Sequence, residues 1–173
     1  MACSQTLNGL VNDCAPSMGG IVEVLIANFA DVTAVTVSDN LISAITMATS
    51  AKFKKYGFPR NTGSLSSNYT IDETTGANFV VSDLVLQFNR METAKRIEIT
   101  ALAQGELAVI VKDANGKYWF LGKDAPVKAT AGDGLTGTAR ADRNGYSVTL
   151  QDNSLEMPIE VSATIIADLL PAA

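Results

Sequence analysis

Apolar residues along this chain alternate with polar ones in most places and recur at helical spacing in one. Residues 89–122 show both periods in succession. Met91, Ala94, Ile97 and Ala101 are spaced by three and four, with Lys95, Arg96 and Glu98 between them. That spacing predicts a helix over Met91–Ala103, entered through Asn89 and Glu92, with the apolar residues on one face. Gly105 follows where a left-handed helix cap is commonest. Leu107–Val111 is too short for a helix and rich in branched residues. Asn115-Gly116 suits a tight hairpin and Tyr118–Leu121 returns as the partner strand. The unit reads as a helix lying on a two-stranded ribbon. A lone ribbon is barely stable in water, so the remaining chain must supply more sheet.

In chain order, residues 1–20 read as an extended arm with a turn of helix near Leu7–Val11. Ile21–Ala27 alternates little and predicts a strand buried on both faces, or against a partner on one. Asp31–Asp39 extends the sheet, Asp39-Asn40 turns, and Leu41–Thr49 is a strand with Leu41, Ser43, Ile45 and Met47 on one face. A short helix is the alternative there. Ala51–Ser67 reads as an extended loop in which Phe53, Tyr56 and Phe58 interleave with Lys52, Lys54, Lys55 and Arg60. Leu65–Ile71 and Phe79–Phe88 form a long hairpin around residues 72–76. Both faces of its second arm are largely apolar: Val80, Leu84, Leu86 and Phe88 on one, Phe79, Val81, Val85 and the acid Asp83 on the other. Such a strand needs cover on both sides, from its own core and from a neighbouring copy. Val127–Thr138 is a loop or irregular edge strand, and Tyr146–Leu150 a strand. Pro158 opens a last strand through Ile165, and residues 168–173 fray. The sum is about eight strands and one helix in a single domain over residues 1–173. It is mainly β, an antiparallel sandwich or barrel.

Composition narrows the chemistry more than the fold. The 173 residues include no histidine, so serine–histidine and cysteine–histidine nucleophile pairs are impossible, and the commonest transition-metal ligand is missing. No apolar run approaches the roughly 18 residues of a membrane span. The start MACSQTLNGL lacks a basic region followed by an apolar run, so no secretion signal is expected. Cys3 and Cys14 read as reduced thiols, with a bridge as the alternative. The net charge of −5 is uneven. Residues 1–50 hold four acids and no base, whereas 51–63 hold four bases and no acid. An acidic surface repels phosphate backbones and argues against tight nucleic-acid binding, though not against DNA passing nearby. The basic, aromatic loop has the composition of a nucleic-acid strip, but a loop whose aromatics dock on the sheet or another subunit is the stronger reading.

Two Asp-x-Asn-Gly stretches, Asp113–Gly116 and Asp142–Gly145, resemble part of a calcium loop. The positions that would need glutamate are Gly122 and Gln151, so hairpin turns are the better reading. The glycine pairs and runs match neither phosphate-binding pattern. Trp119, among Tyr118, Phe120 and Leu121, reads as a core or interface anchor. No catalytic constellation, cofactor site or metal site emerges.

The order of elements, and the stretches NTGSLSSNYTIDETTG, LVLQFNRMETAKRIEITALA and VKDANGKYWFLGKDAPV, resemble the major tail tube proteins of tailed bacteriophages and related structural proteins of phages in Bacteroidetes hosts. The resemblance implies a virion protein made in the host cytoplasm. It also implies six copies in a ring, with stacked rings forming a hollow conduit for DNA. Each copy would lend strands to a continuous inner barrel, which removes exposed sheet edges. Other tail or connector proteins would be its partners. The helix would lie outside the barrel, and the N-terminal arm and the loop would reach adjacent copies. On this reading the contact residues are Lys52, Phe53, Lys54, Lys55, Tyr56, Phe58, Arg60, Leu65, Tyr69, Phe79, Val81 and Val85. Glu23, Asp39 and Asp83, or some of them, would face the lumen, where negative charge lets the polymer slide. The alternatives are a head–tail connector ring, a capsid decoration protein, or a monomeric β-sandwich binding module.

Overall fold

A computed structural model of the chain describes residues 7–11 and 14–171. In chain order the strands are β1 (Ile21–Asn28), β2 (Val32–Ser38), β3 (Leu41–Met47), β4 (Lys54–Tyr56), β5 (Ser64–Asp72) and β6 (Ala77–Asn89). Helix α1 (Thr93–Gln104) follows, then β7 (Leu107–Asp113), β8 (Tyr118–Leu121), β9 (Lys128–Leu135), β10 (Gly145–Ser154), β11 (Ile159–Val161) and helix α2 (Ala163–Leu169). One sheet has the order β2-β3-β11-β8-β7-β1-β4 and the other β5-β6-β10-β9. The chain is therefore mainly β, as expected, with more elements than the pattern suggested. The pairing is antiparallel except where β11 runs parallel to β3.

Local chemistry accounts for the turns. Asp39 and Asn40 both take positive φ, 52° and 61°, which gives the two-residue hairpin between β2 and β3 the twist its strands need. In the β7–β8 turn Gly116 alone has positive φ, 86°. The Asp113 carboxylate holds that loop by accepting N–H bonds from Asn115 at 2.8 Å and Lys117 at 2.9 Å. Asp72 plays the same part in the β5–β6 hairpin, accepting from Thr74 N–H at 2.8 Å.

Two apolar clusters fill the chain. The first takes Val24, Ile26, Val109, Val111 and Leu121 from the seven-stranded sheet and Leu84, Leu86, Phe88, Val148 and Leu150 from the four-stranded one. The second lies on the other face of the seven-stranded sheet, where Leu25, Ile42, Ile110 and Phe120 meet Phe53 and the α2 residues Ile166 and Leu169. Burial on both faces explains why β1 and β7 read as nearly continuous apolar runs.

Several expectations are corrected. Helix α1 buries Leu102, with Ile99 half-buried, while Met91, Ala94, Ile97 and Ala101 are exposed. The helix packs against β9 and β10 rather than on the β7–β8 ribbon. Gly105 is extended, at φ −83° and ψ 157°, not left-handed. An added Cβ there would meet the Ala101 carbonyl at 3.0 Å and the Leu107 side chain at 3.1 Å, so the site is tight although its backbone is ordinary. In β3 a bulge at Ser43, between the pairs Thr36↔Ala44 and Val37↔Ile42, lets Ile42 and Ile45 both turn inward. The predicted strand from Pro158 to Ile165 is β11 followed by α2. Residues 51–67, expected to be loop, contain β4 and the start of β5. Leu169 is buried rather than frayed, and its carbonyl accepts the Phe53 N–H at 2.9 Å. Residues 7–11 are not helical. The rest of the arm's start, 1–6 and 12–13, lies outside the described residues, as do 172–173.

Candidate functional site

The four-stranded sheet buries one face and leaves two edges open. On β6 the even-numbered residues from Val80 to Phe88 are buried and the odd-numbered Phe79, Val81, Asp83, Val85 and Gln87 are half-buried on the opposite face. Register carries that outer face across the sheet. Asp83 lies between Ser66 and Gln151, and Val85 between Ser64 and Thr149. Gln151 and Thr149 in turn lie beside Lys128 and Ala131 of β9. The outer surface is thus hydroxyl- and amide-rich with a short apolar stripe. Its acids are held by neighbours. The Gln151 amide donates to Asp83 at 2.8 Å. Asp133 accepts from the Ser147 hydroxyl at 2.7 Å and Arg143 at 2.8 Å, and these bonds hold its carboxyl below the usual range.

Both edge strands are open. β5 runs nine residues without proline, lysine or a register break, whereas β9 runs eight with Lys128 at its start, a register shift at Thr130 and α1 packed against it. Such features block edge pairing, so β5 is the bare edge and β9 the partly guarded one. The inward face of β5 is covered at Leu65, which packs on the first cluster, but bare at Tyr69 (51 % exposed) and Ile71 (68 %). The hairpin therefore carries apolar side chains past the shelter of its own core.

The basic loop is partly internal. Phe53 is fully buried in the second cluster, so this expected contact residue is core instead. Lys52 Nζ donates to the Asp168 carbonyl, and Lys55 pairs with Glu23 at 2.9 Å. Tyr56 is half-buried with its hydroxyl on Glu98, and Phe58 packs against the first cluster. Lys54 and Arg60 are exposed and have no ion-pair partner among the described residues.

The three acids assigned to one lumen surface are dispersed. Asp83 lies on the outer face of the four-stranded sheet. Glu23 is in β1 of the other sheet, ion-paired to β4, and Asp39 is in the β2–β3 turn. Asp113–Gly116 is the β7–β8 turn, whereas the second stretch only begins in a turn, at Ala139–Asp142, and then leads into β10; both carboxylates accept from nearby backbone N–H groups. Asp142 accepts from Thr138 and Ala139 N–H at 2.8 and 2.7 Å. Asp113 also accepts from the Trp119 indole at 3.0 Å, which leaves Trp119 half-buried and anchored. Cys14 is a free, exposed thiol, while a bridge to Cys3 concerns a residue outside those described. Among the described residues no three acids or thiols gather as a metal site, and no helix is long and apolar enough to cross a membrane.

One polar residue escaped the sequence reading. Asp152 is 2 % exposed, and its Oδ1 has no hydrogen-bond partner among the described residues. Burial raises its carboxyl above the usual range, the Gly122 N–H opposes that, and Asp124 adds to it. The signal was the inward phase of Val148 and Leu150 continued to position 152. Compared with family models, with curated proteins and with solved structures, the chain matches none.

Proposed function

We propose that this chain is a virion structural protein whose copies join sheet edge to sheet edge into rings, and that the rings stack into a phage tail tube conducting DNA. The observation that carries the reading is the pair of open edges on the four-stranded sheet. Successive antiparallel pairings make β5 and β9 run in opposite directions. A second copy's β5 laid along β9 would therefore continue the antiparallel alternation without reversal. This is a heterologous contact, and such contacts close into rings when the rotation allows. Closure would pair both edge strands at once, including the bare edge of β5.

The outer face of that sheet would line the channel. Hydroxyls, amides and neighbour-held carboxylates offer a phosphate backbone no cluster of cations to grip, which suits a conduit better than a binding site. The family resemblance of the sequence supplies the phage context and the ring of six. Purified full-length protein should sediment as large particles at micromolar concentration and appear as hollow rods in negative stain. A discrete single ring would favour a connector, and a stable monomer would overturn the reading.

A further inference from the structure

Asparagine is followed by glycine at three places in this chain, Asn8-Gly9, Asn115-Gly116 and Asn144-Gly145. The pairing is chemically labile. Glycine has no side chain to hinder approach, so its backbone nitrogen can attack the side-chain carbonyl carbon of the asparagine before it and close a five-membered imide. The bond from that carbon to the amide nitrogen breaks, and ammonia leaves with the proton that the glycine nitrogen gives up. Water then opens the ring at either carbonyl. One opening leaves aspartate, and the other leaves isoaspartate with an extra methylene in the backbone. Two conditions govern the first step. The asparagine side chain must turn freely onto its own backbone, and the glycine N–H must be free to lose its proton.

The fold withholds both conditions at two of the three places. Asn115 is hydrogen-bonded through both ends of its amide to Met18, whose N–H donates to Oδ1 at 2.8 Å and whose carbonyl accepts from Nδ2 at 3.0 Å. The Gly116 N–H donates to the Asp113 carbonyl at 3.2 Å. Asn144 Oδ1 accepts the Met91 N–H at 2.9 Å, and the Asn144 carbonyl accepts the Arg90 N–H at 2.7 Å. Gly145 is buried, paired with Asn89 on one side and Leu135 on the other.

The remaining place is open. Asn8 and Gly9 are exposed, lie in no strand or helix, and have no hydrogen-bond partner among the described residues. Their neighbours Leu7 and Leu10 are 90 and 103 % exposed, so no packing resists rotation there. Even a Cβ on Gly9 would meet nothing within 4 Å.

We propose that Asn8 is the residue at which this protein deamidates spontaneously, and that hydrogen bonding holds Asn115 and Asn144 against the same reaction. A carboxylate replaces the amide, so an arm whose first twenty residues hold one acid, Asp13, and no base becomes more negative. The protection of Asn115 keeps the root of that arm in place. An aspartate there would still accept from the Met18 N–H but would have no donor for the Met18 carbonyl. This chemistry is separate from the proposed ring closure and goes beyond it.

Ageing the full-length protein in warm, mildly alkaline buffer tests it, with a parallel sample unfolded in urea. Peptide mass spectrometry measures aspartate and isoaspartate at each of the three positions over time. In urea only the local sequence acts, and all three should react at similar rates. In the folded protein Asn8 should stay within about twofold of its urea rate, while Asn115 and Asn144 should slow by about tenfold or more, because each must wait for local opening. Asn8→Gln should remove the acidic species that ion exchange resolves from the aged protein. Equal rates at the three positions in the folded protein, or a reaction led by Asn115 or Asn144, overturns the inference. So does an acidic species that persists undiminished in Asn8→Gln.

Discussion

The Tyr56 hydroxyl donates a hydrogen bond to the Glu98 carboxylate, and this contact ties the edge strand β4 to α1. Burial first, and then the carboxylate, push the phenol's pKa up. Because the folded value lies above the unfolded value of about 10, the unfolded chain ionises first. The contribution to stability is therefore complete below pH ~10 and is lost as the pH rises beyond it. Tyr56→Phe should cost about 1 kcal/mol at neutral pH, and should weaken the alkaline loss of stability seen in thermal melts. An unchanged alkaline profile would show that the bond contributes nothing.

Asp152 sets the opposite problem, a carboxylate in the core with an oxygen unpartnered among the described residues. Its folded pKa is raised, so the folded state holds its proton longer than the unfolded chain does. Its contribution to stability should then be greatest below the unfolded carboxylate value of about 4, and should fall as the pH rises towards the folded value. Asp124 and the Lys123–Glu156 ion pair line the same small pocket. Asp152→Asn should flatten this slope and raise the melting temperature at pH 7 by about 2 °C. Differential scanning calorimetry from pH 4 to pH 8 would measure both.

Phe53 and Gly145 are predicted to be structural positions. Phe53→Ala should cost about 3–5 kcal/mol in denaturant unfolding, because it empties a fully buried site where α2 meets the sheet. Gly145 opposes Asn89 at the start of β10, and a Cβ there would sit 2.0 Å from the Phe88 carbonyl oxygen. Gly145→Ala should cost about 3 kcal/mol by the same measurement.

The two neighbouring lysines of β4 should behave differently. Lys55 is matched within its own chain by Glu23, whereas Lys54 is not. Lys54→Glu should leave the melting temperature within about 1 °C while weakening assembly in low salt. Lys55→Glu should lower the melting temperature by setting like charges together. Light scattering at low and high salt, beside thermal melts, separates the two effects.

Much of this fold was legible where one face of a strand is buried and turn chemistry is strong. The β5–β6 hairpin, closed by Asp72 and Gly76, and the β7–β8 hairpin, closed by Asp113 and Gly116, both follow from local residues. The β2–β3 turn at Asp39-Asn40 does too. Helix α1 was visible but its inward face was not. It carries two apolar stripes, and the fold buries Leu102 and half-buries Ile99 while exposing Ile97. Helix α2 was missed because VSATIIA alternates like a strand. Burial of Ile166 and Leu169, three apart, against β3 overrides that pattern. The sequence leaves open whether Phe53 docks on its own sheet or on another subunit, because what decides it is the arrival of α2 from more than a hundred residues away, which makes Phe53 core. The acids expected at a lumen lie on different elements for a related reason. Their shared charge said nothing about which sheet each occupies.

The central claim is that β5 of one copy completes the sheet at β9 of the next. A cryo-electron density map of the assembled full-length protein tests it most directly. The account predicts continuous antiparallel backbone density from β9 of each copy to β5 of its neighbour around a closed ring, with Asp83 on the channel face. Assemblies in which β5 and β9 remain unpaired, or protein that stays monomeric when concentrated, would contradict it.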